Sequence, residues 1–111
     1  MKLLILFLNR EELLEDILSY FVESGISGAT IIESVGMGRV LTYDIPIFAG
    51  FRDLMAGSRP YNKTIFTVAD ESLVEEAVEG IKRICRECDG PGTGLLVTLP
   101  VEKVAFLGNK T

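Results

Sequence analysis

The sequence predicts an α+β protein with a ferredoxin-like βαββαβ fold. Four short segments rich in β-branched and other apolar residues are separated by two segments whose apolar residues recur at helical spacing. In chain order they read β-α-β, then a long loop, then β-α-β, which is the split βαβ pattern. With 111 residues, 48% of them hydrophobic, the chain is expected to form a single domain over residues 1–111.

The first half of the chain is predicted to contain a strand, a helix and a second strand. Residues 2–8 form an apolar run suited to a central strand buried on both faces. Asn9 followed by Glu12 is similar to a capping box, which predicts that a helix begins there. The helical spacing continues to Ser24, and Gly25 is expected to end the helix. Residues 29–35 are β-branched and predict the second strand.

The second half repeats this order after the long loop. Residues 63–69 predict the third strand, and Asp70 is expected to cap a second helix that runs to about residue 87. A glycine-rich turn covers residues 89–94, and residues 95–101 predict the fourth strand.

The predicted sheet would have one uncovered face, because both helices are expected to pack on the other. Whichever alternating set of strand residues points away from the helices is too apolar to face water. We therefore predict that the domain self-associates. The alternating residues in question are Thr30, Ile32, Thr64, Phe66, Leu96 and Thr98.

Charge and hydropathy exclude several function classes. The net charge is −5, and most of the sixteen acidic residues fall in the two helical segments. The central loop is slightly cationic, but a net charge of about two is too small a footprint for duplex nucleic acid. We expect an anionic small molecule or an acidic protein surface as partner. The apolar run at residues 3–8 is far shorter than the roughly 20 residues that span a bilayer, so we expect no membrane insertion and a cytoplasmic protein.

The segment "ESGISGATIIESVGMGR", the long loop after it and the later "LPVEKV" resemble the nitrogen regulatory protein PII superfamily. The resemblance spans nearly the whole chain and is most specific at residues 25–39. It implies a homotrimer of ferredoxin-like subunits with a T-loop at about 36–61, a B-loop at about 89–94 and a C-loop at about 100–111. It also implies that an adenine nucleotide binds between subunits, and that the T-loop signals to a protein target such as a transporter or metabolic enzyme.

The chain departs from the family pattern at positions that hold phosphate and 2-oxoglutarate. Val40 stands where members have a metal-coordinating Gln, Asp53 where some have a modified Tyr, and Leu95 where a Lys binds phosphate. Thr93 replaces an acid, and Phe106 and Gly108 fall where arginines are usual. A charge-assisted hydrogen bond contributes about 1.5–3 kcal/mol, so losing two weakens binding about a hundredfold or more. ADP or AMP is therefore expected, rather than Mg-ATP with 2-oxoglutarate.

Two glycine-containing turns carry the predicted ligand site. Glycines let the backbone approach an anion closely, and Arg39 adds a guanidinium. The plainer reading, a strand-ending turn and a helix-to-strand connector that need positive φ, stays open for both. The predicted ligand-binding residues are Gly36, Gly38, Arg39, Lys63, Gly92, Thr93, Gly94 and Lys103.

The long loop carries the predicted partner-binding residues. They are spaced as a short amphipathic helix whose apolar side chains could anchor a target or fold back on the protein. They are Phe48, Phe51, Arg52, Leu54 and Met55.

We expect no catalytic or metal site. The chain has no His, and its two cysteines, Cys85 and Cys88, are too few for a zinc site within one subunit. No nucleophile has a plausible base, so an enzyme is not expected. The alternative to a sensor is a constitutive trimeric interaction module that has lost ligand binding.

Overall fold

The computed structural model describes residues 1–37, 40, 61–87 and 92–108. Its strands are β1 (Lys2–Leu8), β2 (Thr30–Val35), β3 (Tyr61–Ala69) and β4 (Gly94–Pro100). A 3-10 helix, Glu11–Leu13, leads into α1 (Leu14–Ser24), and α2 spans Glu71–Arg86. The predicted elements are confirmed, with boundaries that differ by a few residues at most.

The described strands form one antiparallel sheet in the order β2-β3-β1-β4. The α+β class is therefore confirmed, and this strand order with two helices is compatible with the predicted ferredoxin-like fold. The predicted trimer involves further copies of the chain, and most of the predicted T-loop lies outside the described residues.

The core lies between the helices and one face of the sheet. Leu4, Leu6 and Leu8 of β1 are at most 2% exposed. They pack with side chains of β3, α1 and α2 in one buried cluster, which includes Ile65, Ile17, Phe21, Val74, Ala77 and Ile81. At about 1.5–3 kcal/mol for each fully buried large side chain, this cluster is the main stabilising element of the domain.

The expectation that β1 is buried on both faces was wrong. Its odd-numbered residues point away from the helices; Phe7 is 36% exposed and Leu3 and Ile5 are half-buried. Two helices can cover only one face of a sheet, so the opposite face lies open in a single chain.

This opposite surface is called the open face below, and it is largely apolar. Register places the odd residues of β1 beside even residues of β3 and odd residues of β4. Five of its large apolar side chains are between 36% and 61% exposed, namely Phe7, Ile32, Val68, Leu95 and Leu99. Thr30, Ile32, Thr64 and Phe66 belong to it, whereas Leu96 and Thr98 face the helices. An exposed apolar surface of this kind usually marks an interaction site.

Gly25 ends α1 as predicted. It adopts φ of 101°, in the left-handed region that glycine reaches without strain. The backbone N–H groups of Gly25 and Ile26 then donate to Val22 O and Phe21 O at 3.2 and 2.8 Å. These bonds satisfy carbonyls at the helix end, and the turn directs Ile26 into the core.

The prediction that Asn9 caps the first helix was wrong. Arg10 occupies the N-cap position of the 3-10 helix, and no side-chain capping bond is made there. The Asn9 side chain turns instead toward residues that are distant in sequence, Asn62 and Gly92. Asp70 does occupy the N-cap position of α2, again without a side-chain capping bond.

A close contact between the helices explains a glycine in the middle of α2. A Cβ built on Gly80 would lie 2.0 Å from the ring of Tyr20 on α1. The Tyr20 hydroxyl donates to Glu76 O at 3.2 Å and accepts from Arg83 Nη2 at 3.0 Å. The ring is thus held over Gly80 by two hydrogen bonds at its hydroxyl, and α1 and α2 approach closely there.

We expect Gly80→Ala to destabilise the protein, although alanine ordinarily stabilises a helix interior by about 0.5–1 kcal/mol relative to glycine. Overpacking against Tyr20 should instead lower the free energy of unfolding by about 1–3 kcal/mol. Urea denaturation measures the change. In a Tyr20→Ala background the same substitution should become neutral or stabilising. An equal loss in both backgrounds would contradict the contact as the cause.

Candidate ligand-binding site

A cleft lies at the end of the sheet where β1 and β2 end and β3 begins. Its volume is about 410 Å³, and its described lining consists of Glu11, Glu33, Ser34, Val35 and Asn62. The lining includes two carboxylates, a hydroxyl and an amide, while most of its exposed surface is apolar. Val35 and Asn62 flank the segment 36–60, so the cleft lies at the base of the predicted T-loop.

Lys63 is already bonded to the two carboxylates beside this cleft. Its Nζ donates to Glu33 Oε1 at 2.5 Å and lies 3.9 Å from Glu11 Oε1. The hydrogen bond from Lys63 lowers the pKa of Glu33 below its ordinary 4.5. The same bond raises the pKa of Lys63 above 10.5. An anion that uses Lys63 must therefore compete with Glu33.

Four side chains next to the cleft form a continuous hydrogen-bond chain, called the Asn9 network below. Asn9 Nδ2 donates to Gly92 O at 2.9 Å, and Asn62 Nδ2 donates to Asn9 Oδ1 at 3.2 Å. The Ser34 hydroxyl contacts Asn62 Oδ1 and lies 2.7 Å from Thr64 Oγ1. The network runs along the polar end of the open face, and it links the ends of β1 and β2 with the starts of β3 and β4.

The predicted ligand turn at residues 92–94 meets the end of β1. Asn9 N donates to Thr93 O at 2.9 Å, which continues the pairing between β1 and β4. Gly92 has φ of 83°, and no atom lies within 4 Å of a Cβ built there. A Cβ on Gly94 would lie 2.5 Å from Phe7 O, so close packing of β4 on β1 already requires that glycine. Gly92 thus borders open space, whereas Gly94 has a structural role.

The structure brings together part of the predicted ligand set. Gly36 directly follows β2, and a Cβ on it would lie 3.8 Å from Asn62 Nδ2. Gly36, Lys63 and the 92–94 turn therefore share one end of the sheet. Gly38, Arg39 and the predicted partner-binding residues Phe48, Phe51, Arg52, Leu54 and Met55 lie outside the described residues.

Lys103 is not brought to this end within one chain. β4 pairs Gly94 with Leu8 and Pro100 with Lys2, so its two ends lie at opposite ends of the sheet. Six residue steps along a strand span about 20 Å, and the three residues from Pro100 to Lys103 can cover only about half of that distance. Any contact between Lys103 and a ligand at the 92–94 turn requires a second copy of the chain.

Sequence reasoning missed Asn9, Glu11, Glu33 and Ser34. Asn9 was assigned to a helix cap, Glu11 was counted among the acids of the first helical segment, and Glu33 and Ser34 were assigned no site role. One signal was available: Ser34, Asn62 and Thr64 are polar and would fall on one face of neighbouring strands if β2 and β3 pair through a hairpin register. The bond to Gly92 carried no local signal, because the two residues are 83 positions apart.

The described residues offer no metal site: they contain no group of three or more His, Cys, Asp or Glu side chains that could hold an ion. Cys85 is partly buried, and Cys88 lies outside the described part of the chain. None of the helices described is long and apolar enough to cross a membrane.

Comparison with known proteins finds no match: no family model matches the chain, and no curated protein does. The resemblance to the PII superfamily therefore remains a prediction that rests on the motifs given above.

The Lys63–Glu33 pair gives a pH-dependent prediction. Because the pKa of Glu33 is lowered in the folded protein, the pair stabilises the fold above about pH 4.5, and this contribution fades as pH falls through the lowered pKa. The contribution is lost again as pH rises through the raised pKa of Lys63. We expect Glu33→Gln to lower the melting temperature at neutral pH and to have no effect at about pH 2.

Glu79→Gln is the matched control, because it removes the same charge from an exposed Lys82–Glu79 pair 3.6 Å apart on α2. Thermal melts of the three proteins across pH measure both effects. A deficit of Glu33→Gln that persists undiminished at acid pH would contradict the ion pair as its cause.

Proposed function

We propose that this protein is a PII-like regulatory protein rather than an enzyme. It forms a homotrimer, binds a small anionic effector between subunits, and signals to a protein target through the loop at 36–61. The observation that carries the proposal is the convergence of the 92–94 turn with both roots of that loop. They meet beside a cleft of about 410 Å³, joined by the Asn9 network. A ligand held in the cleft contacts the roots of the loop directly, and the Asn9 network connects those roots to the 92–94 turn.

The need for a second subunit has independent support in the open face. Its apolar side chains lie exposed in the described part of one chain, and association buries them. Association also offers a way to bring Lys103 of one subunit to the 92–94 turn of another, which no single chain achieves. The proposed site is thus complete only in the oligomer.

The charge of the cleft favours an effector with few phosphates. Glu11 and Glu33 line it, and Lys63 offsets only one of these two charges. Each further phosphate adds negative charge near these carboxylates, and Leu95 stands where the family places a phosphate-binding lysine. We therefore propose ADP or AMP as the effector, with the base or sugar hydroxyls against the carboxylates and amide of the cleft.

A second candidate function is the constitutive interaction module without a ligand. The engagement of Lys63 by Glu33 favours it, because that cation is not free for an anion. Arg39→Ala separates the two functions. It should abolish the response to nucleotide in a sensor and leave partner binding nearly unchanged in a constitutive module.

We expect isothermal titration to show ADP and AMP binding at one site per subunit with micromolar dissociation constants, and weaker binding of Mg-ATP. The reason is the shortage of cations at the phosphate positions. Arg39→Ala should weaken ADP binding about tenfold or more, the effect of one charge-assisted hydrogen bond. If a folded oligomer binds none of the three nucleotides, the result would favour the constitutive module.

We expect Val68→Glu to break the trimer, because it places a charge in the apolar open face. Val68 is 46% exposed there, whereas Val22 is 73% exposed on α1. Val22→Glu is the matched control and should leave assembly intact. Light scattering coupled to gel filtration should give three times the 12.2 kDa chain mass for the parent and the control. A monomeric parent would contradict the proposed assembly.

A further inference from the structure

The Asn9 network can run as hydrogen bonds in a single direction. Thr64 can donate to Ser34, Ser34 to Asn62 Oδ1, Asn62 Nδ2 to Asn9 Oδ1, and Asn9 Nδ2 to Gly92 O. Each side chain in the middle donates one bond and accepts another. Bonds arranged head to tail polarise one another, so the loss of one weakens its neighbours.

Among the four side chains of the Asn9 network, Asn9 alone lies outside the antiparallel pair of β2 and β3. Its carboxamide provides a donor toward Gly92 and an acceptor toward Asn62, and a carboxylate or an aliphatic side chain cannot provide both. Ser34 lies two residues before Gly36, and Asn62 is the second residue of β3. Through these two residues Asn9 contacts both roots of the segment 36–60.

The acceptor at the other end depends on an unusual backbone conformation. Gly92 holds φ of 83°, so its carbonyl points to Asn9 only while this residue stays in the left-handed region. Rotation of that peptide removes the acceptor from Asn9 Nδ2. Within the Asn9 network, one side-chain bond to Gly92 O connects the 92–94 turn to the two loop roots, and a change in the turn can break it.

We propose that Asn9 is the positioning residue that couples the 92–94 turn to the roots of the 36–60 segment. A change of conformation at Gly92 alters the Asn9 bond and passes through Asn62 to Ser34 at the end of β2. As a route for an effector signal, this inference rests on the proposed function. The mechanical coupling itself does not, so the two can be tested separately.

The first experiment needs no ligand. Gly92→Ala strains the turn without a steric clash, since L-alanine populates the left-handed region about tenfold less readily than glycine. Amide hydrogen exchange of peptides covering residues 30–35 and 61–66 reports on the loop roots. We expect Gly92→Ala to speed exchange in both peptides about threefold or more, within the range of local opening.

Two variants cut the connection at different bonds. Asn9→Asp retains the acceptor for Asn62 and loses the donor to Gly92, and Asn62→Asp retains the acceptor for Ser34 and loses the donor to Asn9. In either background Gly92→Ala should no longer change exchange at residues 30–35. The two cuts are independent, so a failure of one variant to fold leaves the other to decide.

Thr67→Val is the matched control, because it removes a buried 2.6 Å side-chain bond to Gly28 O nearer the opposite end of β3. The response to Gly92→Ala should survive in this background. The proposal is overturned if Gly92→Ala leaves the loop roots unchanged in the parent, or if its effect persists in both cut variants.

The second experiment adds ADP. We expect Asn9→Asp to bind ADP more weakly than the parent, because it adds a negative charge near the site. At an ADP concentration that saturates the variant, ADP should no longer change exchange at residues 30–35. If ADP binds and the response persists in Asn9→Asp, the coupling route is wrong and the proposed function stands. If the parent does not bind ADP, the proposed function fails in its nucleotide form, and the Gly92→Ala comparison still decides the coupling.

Discussion

Strand β1 hydrogen bonds to β3 on one side and to β4 on the other along its whole length. Its leucines on one face also form the centre of the helix-facing core, where Leu4 and Leu8 have no exposed surface. β3 and β4 pair with this strand, α1 and α2 pack on its leucines, and β2 joins the sheet through β3. The end of β1 therefore determines where the starts of β3 and β4 meet. The candidate site lies at that meeting point.

Coverage of the sheet on one side only is the second constraint. The helices bury the face that carries Leu4, Leu6 and Leu8, and they leave Phe7 and its β4 neighbour Leu95 exposed. The surface is apolar along most of its length and becomes polar where the Asn9 network lies. An arrangement of this kind suits a contact between subunits whose apolar part drives association and whose polar end borders a ligand. Assembly and ligand binding would then depend on the same face.

The charges near the cleft work against a highly charged effector. Glu33 lies on the edge strand β2, paired in register with Lys63, and Glu11 approaches from the 3-10 helix. Both carboxylates form ion pairs with Lys63, which an anion would otherwise bind. Under the proposed function, backbone N–H groups of the glycine turns would contact the ligand where the positive charge is low. A regulator of this kind would respond to a ligand recognised more by its base and sugar than by its phosphates.

Local patterns in the sequence determined the number, type and order of the elements, because strand and helix periodicities and the positive φ of Gly25 depend on residues only a few positions apart. The glycines of the candidate site were predictable for the same reason. Only the tertiary structure decided which alternating residues form the open face, that Lys63 pairs with Glu33, and that Asn9 bonds Asn62 and Gly92. Those outcomes follow from strand order and register, which join residues 30 to 83 positions apart. The local sequence around Asn9 or Lys63 does not indicate which residues they bond, since the pairing of neighbouring strands determines those partners.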